Sequence, residues 1–292
     1  MLVAAVPACT LLAGTTDLRI AADVESDGGS RDDTLDGAVA AEPDVATSPD
    51  APSGSNDAAP LNYRDMVLAD QPLAYWRMGQ LQGSEIADET GRGNSLLLTG
   101  TTNAAPGAIA GDPDTALAFD GLTTIAQAKD GGSFVFGAPA TFSVEAWVKR
   151  TPRSSRANFE HLFGATTGLG SSRLGYLTYL SNVGGPDLQF QWRPAAGVSY
   201  TASGPIPSSG FVHLVSVFDG TSLQLFVDGA STDSEVVVGS LPFRPASFVI
   251  GGDDDRLTES RFSGVIDEVA VYDRALSPPE IALHFENGRG PM

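Results

Sequence analysis

Few side chains in this 292-residue sequence are equipped for chemistry: three histidines (His161, His213 and His284), one cysteine (Cys9) and 36 acidic residues. The orders that mark a hydrolase nucleophile elbow (Gly-x-Ser-x-Gly), a phosphate-binding loop (Gly-x-x-x-x-Gly-Lys) or a zinc-protease helix (His-Glu-x-x-His) do not occur. Asp253-Asp-Asp-Arg256 groups carboxylates, but it lacks the glycine and closing glutamate of an EF-hand loop and reads as a solvated acidic turn. One cysteine excludes an intramolecular disulfide and a thiolate zinc cluster. Each histidine reads as structural: His213 within an apolar strand, His284 on a terminal helix, His161 beside Phe159 and Leu162.

Sugar recognition asks for other residues, an aromatic face to lie on a pyranose ring and planar polar groups for its hydroxyls. Leu188-Gln-Phe-Gln-Trp-Arg193 alternates, with Gln189, Gln191 and Arg193 on one face of a strand and Leu188, Phe190 and Trp192 on the other. Tyr176, Tyr179 and Tyr200 lie nearby in sequence. The expected ligand groove therefore uses Trp192, Tyr179 and Tyr200, while Trp76 and Trp147 are expected in the core.

Charge narrows the partners. Seventeen basic residues against 36 acidic give a net charge of −19, which disfavours nucleic acid. Residues 1–60 hold −9 of this, and from Asp23 to Pro60 there is no aromatic residue and no sustained apolar period. Such a stretch buries too little apolar surface to offset the entropy of ordering, so residues 23–61 are expected to be a disordered acidic linker. Residues 1–22 are expected to be an export segment, because the run from Met1 to Gly14 is too short to span a bilayer. Val6-Pro7-Ala8-Cys9 resembles a bacterial lipobox, which implies lipidation at Cys9 and an exported protein, held at the outer membrane or cell surface, or secreted. The membrane would then be met only through the lipid.

From residue 62 the pattern becomes short β-rich runs between turn dipeptides. Phe142-Ser-Val-Glu-Ala-Trp-Val-Lys149 alternates strictly, predicting a half-buried strand. Phe211–Phe218 is apolar on both faces, which places it inside a sheet covered on both sides. Asp219-Gly220 joins it to Leu223–Val227 as a hairpin. Further strands are predicted at 73–78, 115–119, 123–128, 174–180, 187–193, 246–251 and 262–272, and a helix only at 278–286, with Ser277 as its cap and Glu280 completing a capping box. About a dozen strands with almost no helix predict an all-β fold, a sandwich of two antiparallel sheets with a short C-terminal helix.

Several motifs then match in order: Ala74-Tyr-Trp-Arg-Met-Gly79, Ala87-Asp-Glu-Thr-Gly-Arg-Gly-Asn94, Ala116-Leu-Ala-Phe-Asp-Gly121, the 142–149 strand, His213-Leu-Val-Ser-Val-Phe-Asp-Gly220, Leu223–Gly229 and Phe262–Ser277. Together they make residues 62–289 resemble the concanavalin A-like lectin/glucanase superfamily, in particular its bacterial laminin G-like (LamG) domains, and imply a jelly-roll sandwich. Catalytic members of that superfamily carry Glu-x-Asp-x-x-Glu on one strand face, a spacing absent here. The resemblance therefore implies a non-catalytic cell-surface module binding a polysaccharide or glycoprotein. A protein-adhesion module without a sugar site is the alternative; a hydrolase would need carboxylates assembled from loops, such as Asp253–Asp255 and Glu259. The resemblance also implies a structural calcium ion held by Asp267 and the loop around Asp88.

Overall fold

The computed structural model describes residues 61–129, 134, 136, 141–151, 158–168, 172–183, 187–195, 197–207, 209–238, 246–252 and 260–290. The export segment with Cys9, the acidic linker up to residue 60 and the acidic run Asp253–Glu259 lie outside the described residues. In chain order the elements open with α1 (Tyr63–Ala69), β1 (Ala74–Trp76), β2 (Leu81–Gln82), β3 (Glu85–Ile86), β4 (Leu96–Thr99), β5 (Ala104–Pro106), β6 (Thr115–Asp120) and β7 (Ile125–Ala128). They continue with β8 (Phe142–Arg150), β9 (Phe159–Thr167), β10 (Leu174–Ser181), β11 (Asp187–Arg193) and β12 (Tyr200–Pro205). The last are β13 (Val212–Phe218), β14 (Ser222–Val227), β15 (Ala230–Val236), β16 (Phe248–Ile250), β17 (Ser263–Tyr272) and α2 (Pro278–Arg289).

These strands pair into two antiparallel sheets. One runs β15-β14-β13-β8-β17-β6-β5, with β1 also on β17; the other runs β12-β11-β10-β9-β16-β7-β4-β3-β2. Alternate side chains of both sheets meet in one core that includes Trp76, Phe142, Tyr176, Phe190, Trp192, Phe218 and Phe248. The architecture is a jelly-roll β-sandwich with a short C-terminal helix. The β13–β14 hairpin turns where the Asp-Gly pair predicts it: Gly220 adopts φ +94°, and the Asp219 carboxylate accepts the backbone N–H groups of Thr221 and Ser222.

The outer face of the eight-stranded sheet is covered too. Tyr63, Met66 and Val67 from α1 and Ile281 from α2 pack over Tyr75, Trp147, Val215, Phe226 and Tyr272. This corrects two sequence expectations. α1 was not anticipated, although Asn62 caps it by accepting the Asp65 N–H (2.9 Å) and its apolar residues recur at helical spacing. β8 is not half-buried, because the helices cover its second face and leave only Lys149 and Arg150 partly or fully exposed. Ser277 donates its backbone N–H to Glu280 (2.7 Å), the return bond of the predicted capping box. Among the described residues no helix is long and apolar enough to cross a membrane.

Candidate functional site

The structure separates the three aromatic residues expected to form a groove. Trp192 is 1% exposed, facing inward between Phe142 and Phe218 with ring centroids 5.5 and 4.3 Å away. Its predicted strand face is right, but that face is the inter-sheet core, so the indole cannot lie against an external sugar. Tyr200 stands opposite Trp192 in register, packs against the same core and donates its hydroxyl to the Val238 carbonyl (2.7 Å). Tyr179 pairs with Gln189 and so lies on the opposite, outer face of the sheet. Trp76 and Trp147 are buried as expected, their indole N–H groups donating to the Asn94 carbonyl and the Tyr63 hydroxyl.

That outer face carries a pocket of about 340 Å³, lined by Phe159, His161, Arg173, Leu177, Tyr179, Gln191, Arg193 and Ser260. Gln191 and Arg193 arrive through the alternation of β11, whose other face is Phe190 and Trp192. Phe159 and His161 arrive through a β-bulge. Thr178 pairs with Phe163 but Tyr179 with His161, so Leu162 has no opposite residue. The extra residue breaks the alternation of β9, turning His161 to the pocket while Phe163 and Ala165 stay in the core. Simple alternation would place Phe159, His161 and Phe163 on one face, which is why these lining residues are hard to read from sequence. Gly175, opposite Arg193, needs its φ of +116°; a Cβ there would come within 2.1 Å of the Ala165 carbonyl oxygen.

The pocket's polar groups are held in place. Tyr179 donates its hydroxyl to Gln189 and accepts from Gln191 (3.4 Å), which also reaches Thr201 (3.4 Å). Arg173 lies 3.4 Å from His161, and Phe159 meets Tyr179 edge-on at 5.7 Å. Burial raises the pKa of the Tyr179 phenol while Arg193 and Arg173 pull it down. Phe159 remains 42% exposed, an aromatic surface at the rim.

Two further polar clusters lie under the eight-stranded sheet's outer face. Glu145, fully buried, accepts from Tyr63 (2.8 Å) on α1 and Tyr272 (2.9 Å) on β17, and contacts His213 (2.8 Å) on β13 and His284 (2.9 Å) on α2. The other imidazole nitrogen of His284 reaches Asp70 at 2.8 Å. Burial opposes charge on both groups, but their mutual attraction wins: Glu145 is held well below the usual carboxylate range and His284 is raised to about 9. The second cluster is Asp267 and Glu268 at a bulge of β17, where Glu268 adopts φ +50°. Arg77 joins Glu268 (3.1 Å) to Asp112 (2.8 Å) and Asp114 (3.2 Å). Burial pushes Asp267 up to about 7 and Glu268 up to about 8.

The residues expected to hold calcium do not fit it. Asp88 is occupied by its own loop, accepting backbone N–H groups of Tyr75, Thr90 and Asn94. Asp267 accepts the N–H groups of Ala108 (2.7 Å) and Glu268 (3.1 Å). Among the described residues no group of three or more His, Cys, Asp or Glu side chains is placed to hold a metal ion. The positive charge among the β17 carboxylates is the Arg77 guanidinium, where calcium would need six to eight oxygens converging. EDTA is therefore expected to leave the melting temperature unchanged, a result that thermal denaturation checks directly.

These shifts set a pH window. Raised above its ordinary 6.5, His284 gives stability that is complete below pH 6.5 and lost as pH rises through about 9. Asp267 and Glu268 keep protons that the unfolded chain releases near pH 4, so they too withdraw stability as pH rises through about 7 and 8. Glu145, depressed, acts oppositely and withdraws stability as pH falls below its ordinary 4.5. Stability is expected to peak near pH 4.5 and to fall from there toward pH 9, first through Asp267 and Glu268 and then through His284, measured as Tm across a buffer series.

The chain is thus a two-sheet jelly-roll sandwich with a pocket on the outer face of its nine-stranded sheet. The family model for the concanavalin A-like lectin/glucanases superfamily matches residues 123–282, and the chain belongs to that superfamily. The binding domain of Paraclostridial Mosquitocidal Protein 1 is similar in fold, with a TM-score of 0.58 at 14% identity over 75% of this chain and 52% of that one. The Botulinum neurotoxin serotype G binding domain is similar at TM-score 0.58 and 10% identity, over 73% of this chain and 50% of that one. The chain thus spans about half the length of these two toxin domains. Domain 4 of AbnA, a GH43 extracellular arabinanase from Geobacillus stearothermophilus solved in complex with arabinotriose, is similar at TM-score 0.55 and 20% identity, over 74% of this chain and 98% of that domain. No curated protein matches the chain.

Proposed function

We propose that this sandwich is a non-catalytic binding module that recognises a carbohydrate or a glycosylated partner at the pocket on β9, β10 and β11. The observation that carries the reading is the pocket's make-up: an exposed aromatic ring, Phe159, beside the planar polar groups of Gln191, Arg173 and Arg193. Such a set offers a stacking surface and hydroxyl partners together. Among the described residues no carboxylate lines the pocket, whereas glycoside hydrolysis needs two across the bond. A neighbour of the same fold that holds arabinotriose adds weight.

The test is a glycan array probed with the full chain, with and without EDTA. Specific hits insensitive to EDTA are expected. Phe159→Ala is expected to weaken those hits by about tenfold, the loss of roughly 1.4 kcal/mol of stacking. Its Tm should stay within a few degrees, because the ring is half in solvent. Silence from a chain shown to be folded would move the reading to a protein-adhesion module. We further propose that Cys9 carries a lipid and the acidic linker spaces the module from a bacterial surface. Labelled palmitate should enter the protein in a bacterial host and be lost in Cys9→Ser.

A further inference from the structure

Resting on the reading of the β9–β11 pocket as a sugar site, we infer that its ligand is an uncharged oligosaccharide, running from the pocket across β11 to Thr201 on β12. The ladder that carries this inference is made of side chains without charge. Tyr179 on β10 pairs in register with Gln189 on β11, and Gln191, two residues along the same face, pairs with Thr201 on β12. Tyr179 donates its hydroxyl to Gln189, while the Gln191 amide donates to Tyr179 (3.4 Å) and to Thr201 (3.4 Å). Gln189, Gln191 and Thr201 are all half-buried, held in place yet still in contact with solvent.

These bonds decide which valences remain. With both amide hydrogens committed, Gln191 keeps its carbonyl oxygen as an acceptor among the described residues, Gln189 keeps its amide hydrogens and Thr201 its hydroxyl hydrogen. A sugar hydroxyl both donates and accepts, so neighbouring hydroxyls can satisfy this mixed set. A carboxylate or sulfate only accepts, and would leave the Gln191 oxygen against another oxygen. Arg173, Arg193 and His161 in the lining are each already engaged within the protein, and a chain of net charge −19 repels anions at long range. Neighbours in the order β9-β10-β11-β12 stand about 4.8 Å apart, so the strands carrying Phe159 and Thr201 lie about 14 Å from each other, room for roughly three linked rings.

The experiment is an array of neutral, uronate-bearing and sulfated oligosaccharides probed with the full chain, then calorimetry with the one-, two- and three-ring members of the strongest series. Hits among neutral glycans are expected, with the trisaccharide about tenfold tighter than the monosaccharide, the effect of one or two further hydrogen bonds. Raising sodium chloride from about 50 to 300 mM should change affinity by less than about twofold. Thr201→Val should weaken the trisaccharide about fivefold and leave the monosaccharide nearly unchanged, because Thr201 stands beyond the described lining of the cavity. Thr201→Ser, which keeps the hydroxyl, should retain the preference for length. The length series needs no variant and decides the matter even if Thr201→Val fails to fold. Hits confined to charged glycans, or neutral hits equally tight at one ring and at three, would overturn this assignment while leaving a sugar-binding module standing. The absence of any glycan hit from a folded chain would overturn both readings.

Discussion

Glu145→Ala is expected to lower the unfolding free energy by about 3–5 kcal/mol, the cost of removing one member of a buried charged network. The carboxylate is wholly buried and four partners converge on it: Tyr63, His213, Tyr272 and His284. Each comes from a different element, so the carboxylate pins α1 and α2 to the outer face of the eight-stranded sheet through β13 and β17. Truncation leaves two hydroxyls and two imidazoles buried with one acceptor fewer, and His284 without its principal counter-charge. Urea denaturation at pH 6 would measure the loss, expected as a fall in Tm on the order of 10 °C for a domain of this size. Tyr272→Phe removes one donor and should cost only about 1 kcal/mol. Glu145→Ala should also flatten the decline in stability between pH 6.5 and 9, since the raised pKa of His284 depends first on Glu145 among the groups that raise it. A loss no larger than that of Tyr272→Phe, with the alkaline decline intact, would show that the network is not what holds the helices down.

The sandwich was legible because its strands carry strong local signals. The alternation of Leu188–Arg193, the Asp-Gly turn at 219–220 and the doubly apolar 212–218 run each match the observed β11, hairpin and buried β13. What a single strand cannot report is what covers its second face. Glu145 and Trp147 alternate like solvent-facing residues, yet α1 and α2 lie over them. Periodicity fixes which side chains share a face and leaves open which face meets the core. The site suffers from the same limit twice. Gln189, Gln191 and Arg193 were grouped correctly, but the expected groove combined Tyr179, on their face, with Trp192 and Tyr200, which pack against the inter-sheet core on the other. Phe159 and His161 were hidden by the bulge at Leu162, a register shift visible only once β9 and β10 are paired. Edge and short strands such as β12 and β15, with mixed polar composition, gave no periodic signal strong enough to mark them.

Trp192→Ala is expected to cost about 3–5 kcal/mol of stability, the range for truncating a large aromatic side chain in a packed core. The indole is enclosed by Phe142 and Phe218 at 5.5 and 4.3 Å between centroids, and the two sheets are joined across it, so the cavity left behind cannot be filled by a small rotation of one neighbour. Binding should respond differently. Gln191 and Arg193 flank Trp192 in sequence but point to the opposite face, so a Trp192→Ala chain assayed well below its Tm should retain its glycan hits with affinity within about threefold. Phe159→Ala should do the reverse, losing affinity at nearly unchanged stability. The pair of variants separates two jobs that residues 159 and 192 share as aromatics of one sheet, one packing the sheets together and the other meeting what lies outside. If Trp192→Ala abolished binding at full stability, the indole would have to reach the ligand, and the site would lie on the other face of β11. A large stability loss with binding retained fixes the outer face as the one that works, because a ligand held by the inner face could not survive the opening of the core beneath it.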